Sequence, residues 1–293
     1  MTDQQIEAYF TINNQLSERT VVSYKNLFTK FENMNKNIVT QSQTNIINYI
    51  DEFEASTNTK LAMINVVINL RRHYDKQVEK ILTRKLQLMD DYKQIKIVTK
   101  EEKKGDLPSA KELIAHENRL YIDGEWTGFI ITHLLRVLST RNKDLDLKII
   151  PADRSKRKGI AGDKNNYLIL RSNNIQVIRN NYKTFKTYGQ KKNLVPSRKL
   201  NKAVRELIAE RDLTLGKDTI NLLSTKAGES MGEESIAKKI RKYTFRGLSE
   251  SDYNKVFTSE VAEIKDLKKL EKISKNRGSS LEVILQEYHL DTV

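Results

Sequence analysis

The sequence predicts a mainly α-helical chain with a small antiparallel β-sheet, divided into an N-terminal helical bundle and a larger second domain. Three observations carry that prediction. Apolar residues recur at helical spacing through the first third, which holds none of the three prolines, Pro108, Pro151 and Pro196. A run without any apolar residue, Lys100-Glu101-Glu102-Lys103-Lys104-Gly105-Asp106, then interrupts the pattern. Beyond it, short β-type runs lie between two helical stretches.

Tyr24, Leu27, Phe28, Phe31 and Met34 share one helix face, and Ser17 is placed to cap its N-terminus. Ile46, Ile47, Ile50 and Phe53 define a second helix, which the Ser56-Thr57-Asn58 cluster ends. Leu61, Ile64, Val67, Ile68 and Leu70 mark a third, and Val78, Ile81, Leu82, Leu86, Met89 and Tyr92 a fourth. Four amphipathic helices with short links make a bundle over residues 1–98. The polar run makes an exposed linker over 99–107, and the second domain spans 108–293. That domain opens with helices from Ser109 to about Ala115 and from Trp126 through Leu138, in which Trp126 and His133 read as core residues. Strands follow over Leu145 to Ile150, Tyr167 to Leu170, Ile175 to Arg179 and Asn193 to Pro196, with Ser172-Asn173-Asn174 as a turn. From Lys199 onward the pattern is helical again, with a loop near Lys226 to Gly232.

Composition narrows the function classes. The 293 residues carry 52 Lys+Arg against 38 Asp+Glu, a net charge of +14, and no Cys. A disulfide scaffold, a Cys-ligated zinc and a cysteine nucleophile are therefore excluded. His73, His116, His133 and His289 show no ligand spacing, so neither a metal nor a cofactor is expected. Apolar runs fall short of the ~18–20 residues of a membrane span. The opening MTDQQIEAYF has neither the basic nor the apolar region of a secretory signal. The expectation is an intracellular protein with no membrane and no small-molecule substrate, whose charge selects a polyanion. Its candidate DNA contacts form three clusters: Arg154, Lys156, Arg157 and Lys158; Lys186, Lys191 and Lys192; and Lys238, Lys239, Arg241 and Lys242. Tyr182, Phe185, Tyr188, Tyr243 and Phe245 are interleaved with the last two.

Several ordered segments then resemble the tyrosine recombinase (phage-type integrase) family. Ser139-Thr140-Arg141-Asn142-Lys143-Asp144-Leu145 is similar to the family's first-arginine segment, a helix end leading into a strand. Lys183-Thr184 and Lys186-Thr187, followed by Leu194-Val195-Pro196, resemble the hairpin that presents a catalytic lysine. Lys275-Asn276-Arg277-Gly278-Ser279-Ser280 with Tyr288 resembles the terminal glycine segment and its nucleophilic tyrosine. The resemblance implies a core-binding helical domain and a recombinase-like catalytic domain that clamp duplex DNA between them. It also implies a covalent phosphotyrosyl intermediate, with Arg141 stabilising the phosphate, Lys183 or Lys186 as general acid and Tyr288 as nucleophile. Three positions depart from the pattern. Ser251 and Asn254 stand where the family has His and a second Arg, and Ser279 where it has His or Trp; a shifted alignment offers Arg246 instead, and an arginine beside Tyr288 from an unexpected position such as Arg246 or Arg277 would restore the pair. Two readings follow: a recombinase or integrase acting on double-stranded DNA, with self-association on it possible, or a recombinase-fold protein that binds or packages DNA without chemistry. An RNA-binding helical protein is a third reading, on charge alone.

Overall fold

A computed structural model of the chain describes residues 18–32, 40–152, 160, 163–215, 220–225 and 227–289. The chain forms two compact units that divide between Lys100 and Glu101. The first holds α1 (Glu18–Glu32), α2 (Gln43–Glu52), α3 (Thr57–His73) and most of α4 (Glu79–Asp106). Ser42 and Ser56 cap α2 and α3 by accepting from Asn45 and Thr59 amides. The apolar stripes meet in one core built on Phe28, Ile50, Met63, Ile64, Val67, Leu70 and Ile81. Buried Arg71 donates to the Gln77 carbonyl (2.9 Å) and the Gln41 carbonyl (2.8 Å), fixing two loops to the end of α3. Ser17 and Met34 lie outside the described residues.

The polar run expected as a linker is helical through Asp106. Lys and Glu are good helix formers, so a segment with nothing to bury continues the helix instead of breaking it.

The second unit is built around α6 (Trp126–Leu138), whose Phe129, Ile130, Ile131, Leu134, Leu135 and Leu138 are all buried. Against it pack α5 (Ala110–Ile122, with a Ser109–Glu112 capping box), α8 (Arg198–Glu210), α9 (Glu233–Tyr243) and α10 (Glu250–Glu263). The short α7 (Phe185–Tyr188) precedes the fourth strand, and α11 (Leu267–Arg277) and α12 (Leu281–Tyr288) follow α10.

The sheet has five strands: β1 (Leu147–Pro151), β2 (Asn166–Leu170), β3 (Ile175–Arg179), β4 (Lys191–Val195) and β5 (Ile220–Asn221), in the order β4-β3-β2-β1-β5. It is mixed, where a wholly antiparallel sheet was expected. The β1–β2 pair is parallel, with Ile149 opposite Leu168, and the other three pairs are antiparallel. The chain between β1 and β2 is long enough for the crossover that parallel pairing requires, whereas residues 171–174 make a tight return into β3. Leu147, Ile149, Leu168, Leu170, Ile175, Val177 and Val195 face the helices. Tyr167, Ile169 and Ile178 join Ile160 on the opposite face.

One helix crossing admits no side chain. A Cβ on Gly128 of α6 would lie 2.6 Å from a ring carbon of Tyr243 on α9 and 3.2 Å from Leu120 on α5. Gly128→Ala is expected to destabilise the second unit by about 1–3 kcal/mol, the usual cost of overpacking, read as a lower urea midpoint.

Candidate active site

The first arginine is set by a strained turn. Ser139, the C-cap of α6, adopts a left-handed conformation (φ 48°) that residues other than glycine rarely hold. It leads through buried Thr140 to Arg141 and a 3₁₀ turn, Asn142–Leu145. The carboxylate of Asp144 accepts from the Arg141 amide (3.2 Å) and from the guanidinium of Arg179 at the end of β3 (2.9 Å). The Asp144 and Arg179 side chains are both fully buried.

The terminal segment closes on this turn. Gly278 ends α11 in the left-handed region (φ 67°), and a Cβ there would meet Thr184 Oγ1 at 2.4 Å. Thr184 Oγ1 donates to the Gly278 carbonyl (2.9 Å), tying the loop before α7 to the start of the α12 segment. Ser279 accepts from Arg141 Nη2 (3.1 Å), and Ser280 caps α12. Tyr288, half-buried in the last turn of α12, accepts a 2.6 Å bond at its hydroxyl from Arg277 Nη2. The Arg277 guanidinium lies 4.2 Å from the ring centroid of Tyr288. Arg141, Ser279, Arg277 and Tyr288 therefore form one cluster. Burial first, and the nearby charge of Arg277 second, pull the Arg141 pKa below the usual arginine value; Asp144, Tyr288 and Glu250 oppose that shift. Arg141 Nη1 has no hydrogen-bond partner.

An amine that the structure brings against the terminal segment of this cluster is that of Lys191. Lys183 and Lys186 are exposed beside and on α7. Lys191, at the start of β4, donates to the carbonyls of Lys275 and Asn276 (3.3 Å for the latter) and lies over the rings of Tyr182 (4.9 Å) and Tyr188 (5.2 Å). Burial, then the charge of Arg179, lowers its pKa to about 8, with Arg141 adding to the effect and Asp144 opposing it. Lys191 borders a cleft of about 440 Å³, together with Tyr188, Lys192, Asn193, Lys275, Ser279 and Ser280. Among the described residues that line this cleft are three lysines and no carboxylate. Because the charged form of Lys191 is the disfavoured one, its proton is lost as pH rises through about 8. Any phosphate affinity that depends on it falls above that pH, while lysines of ordinary pKa stay charged up to about 10. Wild-type affinity for a phosphate polymer is expected to drop between pH 7.5 and 9.5, and that of Lys191→Met to stay nearly flat.

The three departing positions lie on or near this cluster. Asn254 is buried on α10, its Nδ2 donating to the Thr140 carbonyl (3.4 Å) and to Glu250 Oε1 (3.2 Å). Ser279 holds Arg141 as described, and Ser251 is half-buried one residue after Glu250. Arg246 lies apart: its guanidinium rests on Phe245 (5.1 Å), and its charge acts on Glu112. Of the basic clusters, α9 exposes Lys238, Arg241 and Lys242 and half-buries Lys239. This helix buries Ile236 and Ile240 and packs against the 3₁₀ turn that follows Arg141. Arg154, Lys156, Arg157 and Lys158 lie outside the described residues. Among the described residues there is no group of acidic, His or Cys side chains able to hold a metal, and no helix is long and apolar enough to cross a membrane.

Glu250 and Arg179 are residues of this cluster that sequence reasoning left without a role, and Arg277 it named only as an unexpected source of a second arginine near Tyr288. A buried arginine cannot be told from a surface one by residue type. The available signal was a cation directly before a helix-ending glycine.

No protein-family model matches the chain, and neither does any curated protein. Among solved structures it is similar to the crystal structure of XerA recombinase, at 14% sequence identity and a TM-score of 0.41, over 99% of this chain and 94% of that one.

Proposed function

We propose that the chain binds duplex DNA and breaks and rejoins it in the manner of a tyrosine recombinase. The Tyr288 oxygen attacks a backbone phosphorus, forming a phosphotyrosyl bond as the bond to the 5′ oxygen breaks. The phenol proton passes to water, and Lys191 donates one to the departing 5′ oxygen. Arg141 holds the non-bridging oxygens as charge gathers on them. The observation that supports this best is the convergence of Arg141 and Tyr288, from opposite ends of the second unit, through Ser279 and Arg277. The acid-free cleft beside them and the basic face of α9 supply the charge a DNA backbone requires.

The test is incubation with a pool of randomised suicide duplexes, nicked so that cleavage is trapped. A denaturant-resistant adduct mapped to Tyr288 by mass spectrometry is the expected result. Affinity for the same duplexes is expected to fall by roughly 10³ or more between 50 and 200 mM salt, as for proteins with at least six phosphate contacts. A second reading, DNA binding without cleavage, is favoured by Asn254 at the second-arginine position and by the pairing of Arg277 with Glu250. Steep salt dependence with no adduct anywhere in the pool would select it.

A further inference from the structure

We infer that Arg277, in the last turn of α11, is the second phosphate-binding cation of this site and acts in place of residue 254 on α10. The inference rests on the proposed roles of Arg141 and Tyr288 and deepens them.

Arg277 is only 2% exposed, and a buried guanidinium needs partners that justify its desolvation. Each of its terminal nitrogens is committed to the cluster. Nη1 donates to the carbonyl of strained Ser139 (3.2 Å), and Nη2 is shared between the Tyr288 hydroxyl (2.6 Å) and Glu250 Oε1 (2.6 Å). Asn254 lies one turn beyond Glu250 on α10 and directs Nδ2 to the same Glu250 oxygen. An arginine side chain starting at 254 would have to occupy the ground where this amide meets the carboxylate. The shorter asparagine leaves that ground to a guanidinium entering from α11. Glu250 and Asn254 are then positioning residues that hold Arg277 against the reacting phenol. The electrostatics agree, because Arg277 is the leading charge acting on Arg141. Arg277 already has one anion, Glu250, at 2.6 Å, and an anion placed between it and Arg141 would offset the repulsion that remains. A phosphate held by both is the ligand class that fits.

A role as a mere anchor for the Ser139 turn makes a different forecast, so the test uses an oxyanion as well as DNA. Orthovanadate is titrated calorimetrically into the full chain as wild type, Arg277→Met, Arg277→Lys and the exchange Asn254→Arg/Arg277→Leu. Loss of one charge-assisted donor pair is expected to weaken vanadate binding about tenfold or more in Arg277→Met. The exchange variant is expected to return to within about threefold of wild type, because a guanidinium again reaches the anion. If Arg277→Met fails to fold, Arg277→Lys carries the test, with an intermediate loss expected. Vanadate affinity that is equal in wild type and the folded variants, or absent in wild type, overturns the inference. The covalent assay separates the two claims. A Tyr288 adduct formed as fast by Arg277→Met as by wild type removes Arg277 and leaves the proposed function standing. No adduct in wild type, with vanadate binding still dependent on Arg277, removes cleavage and leaves Arg277 as a phosphate ligand.

Discussion

Arg141→Ala is expected to slow formation of the Tyr288 adduct by about 10²–10³-fold, the cost of losing a charged oxyanion donor, while leaving folding stability nearly untouched. Both halves follow from the surroundings of this residue. Among the described residues its guanidinium reaches one side-chain partner, Ser279, and its Nη1 has none. Its charge is disfavoured by burial and by Arg277. In a base, a folded-state pKa below the unfolded value means that holding the proton at neutral pH works against folding. Truncation thus removes a group whose placement serves binding more than stability. Single-turnover rates on the suicide duplex, set beside urea midpoints, check both parts. Arg141→Lys is expected to recover little of the rate, since an ammonium cannot form the planar two-point contact. A loss of stability as large as the loss of rate would make Arg141 a structural residue.

Asp144→Ala is expected to have the opposite profile. The Asp144–Arg179 pair is fully buried at 2.9 Å, and removing one member leaves a charge in the interior at a cost of about 3–5 kcal/mol. That is a large part of the ~5–15 kcal/mol typical of a whole domain. The same carboxylate also holds the Arg141 amide, so the turn that carries Arg141 loosens together with the sheet. The second unit is expected to unfold at markedly lower urea while the first keeps its midpoint, as hydrogen exchange resolved by unit can measure. Replacing both members, Asp144→Leu with Arg179→Met, is expected to regain most of the loss, because the cost lies in the unpaired charge.

The sequence was most legible where burial imposes a period. Trp126 through Leu138 matches α6 at both ends, because a helix buried all round must be apolar and its neighbours are not. The strands were found to within a few residues, but parallel pairing of β1 with β2 depends on the path of a long connection, which leaves no periodic trace. The two-residue β5 is too short to show alternation. The polar run over 99–107 contains the division between the two units and is helical through Asp106; its exposure was legible and its helicity was not, because exposure and irregularity are different properties. At the candidate site, order along the chain picked out Arg141, Ser279 and Tyr288, which the structure brings into one cluster, but not the place of Lys191 beside it. Lys191 and Lys192 are neighbours on a strand and so face opposite ways. Register against β3 decides which of them turns toward Tyr182, and that is a tertiary fact. Arg277 was legible only as an unexpected position for a second arginine, because its surroundings are set by Glu250, on another helix.

Four of the bonds that assemble the cluster join distant parts of the chain, with separations of 138 residues for Arg141–Ser279 and for Arg277–Ser139, 114 for Asn254–Thr140 and 94 for Thr184–Gly278. Contacts of such range form late, after the closure entropy of the intervening loop has been met. A nascent chain emerging from the ribosome can pair its strands and display its cationic helix well before α11 and α12 arrive. On the proposed function, the chain up to that point lacks both Arg277 and Tyr288, so competence to react follows the arrival of these two helices.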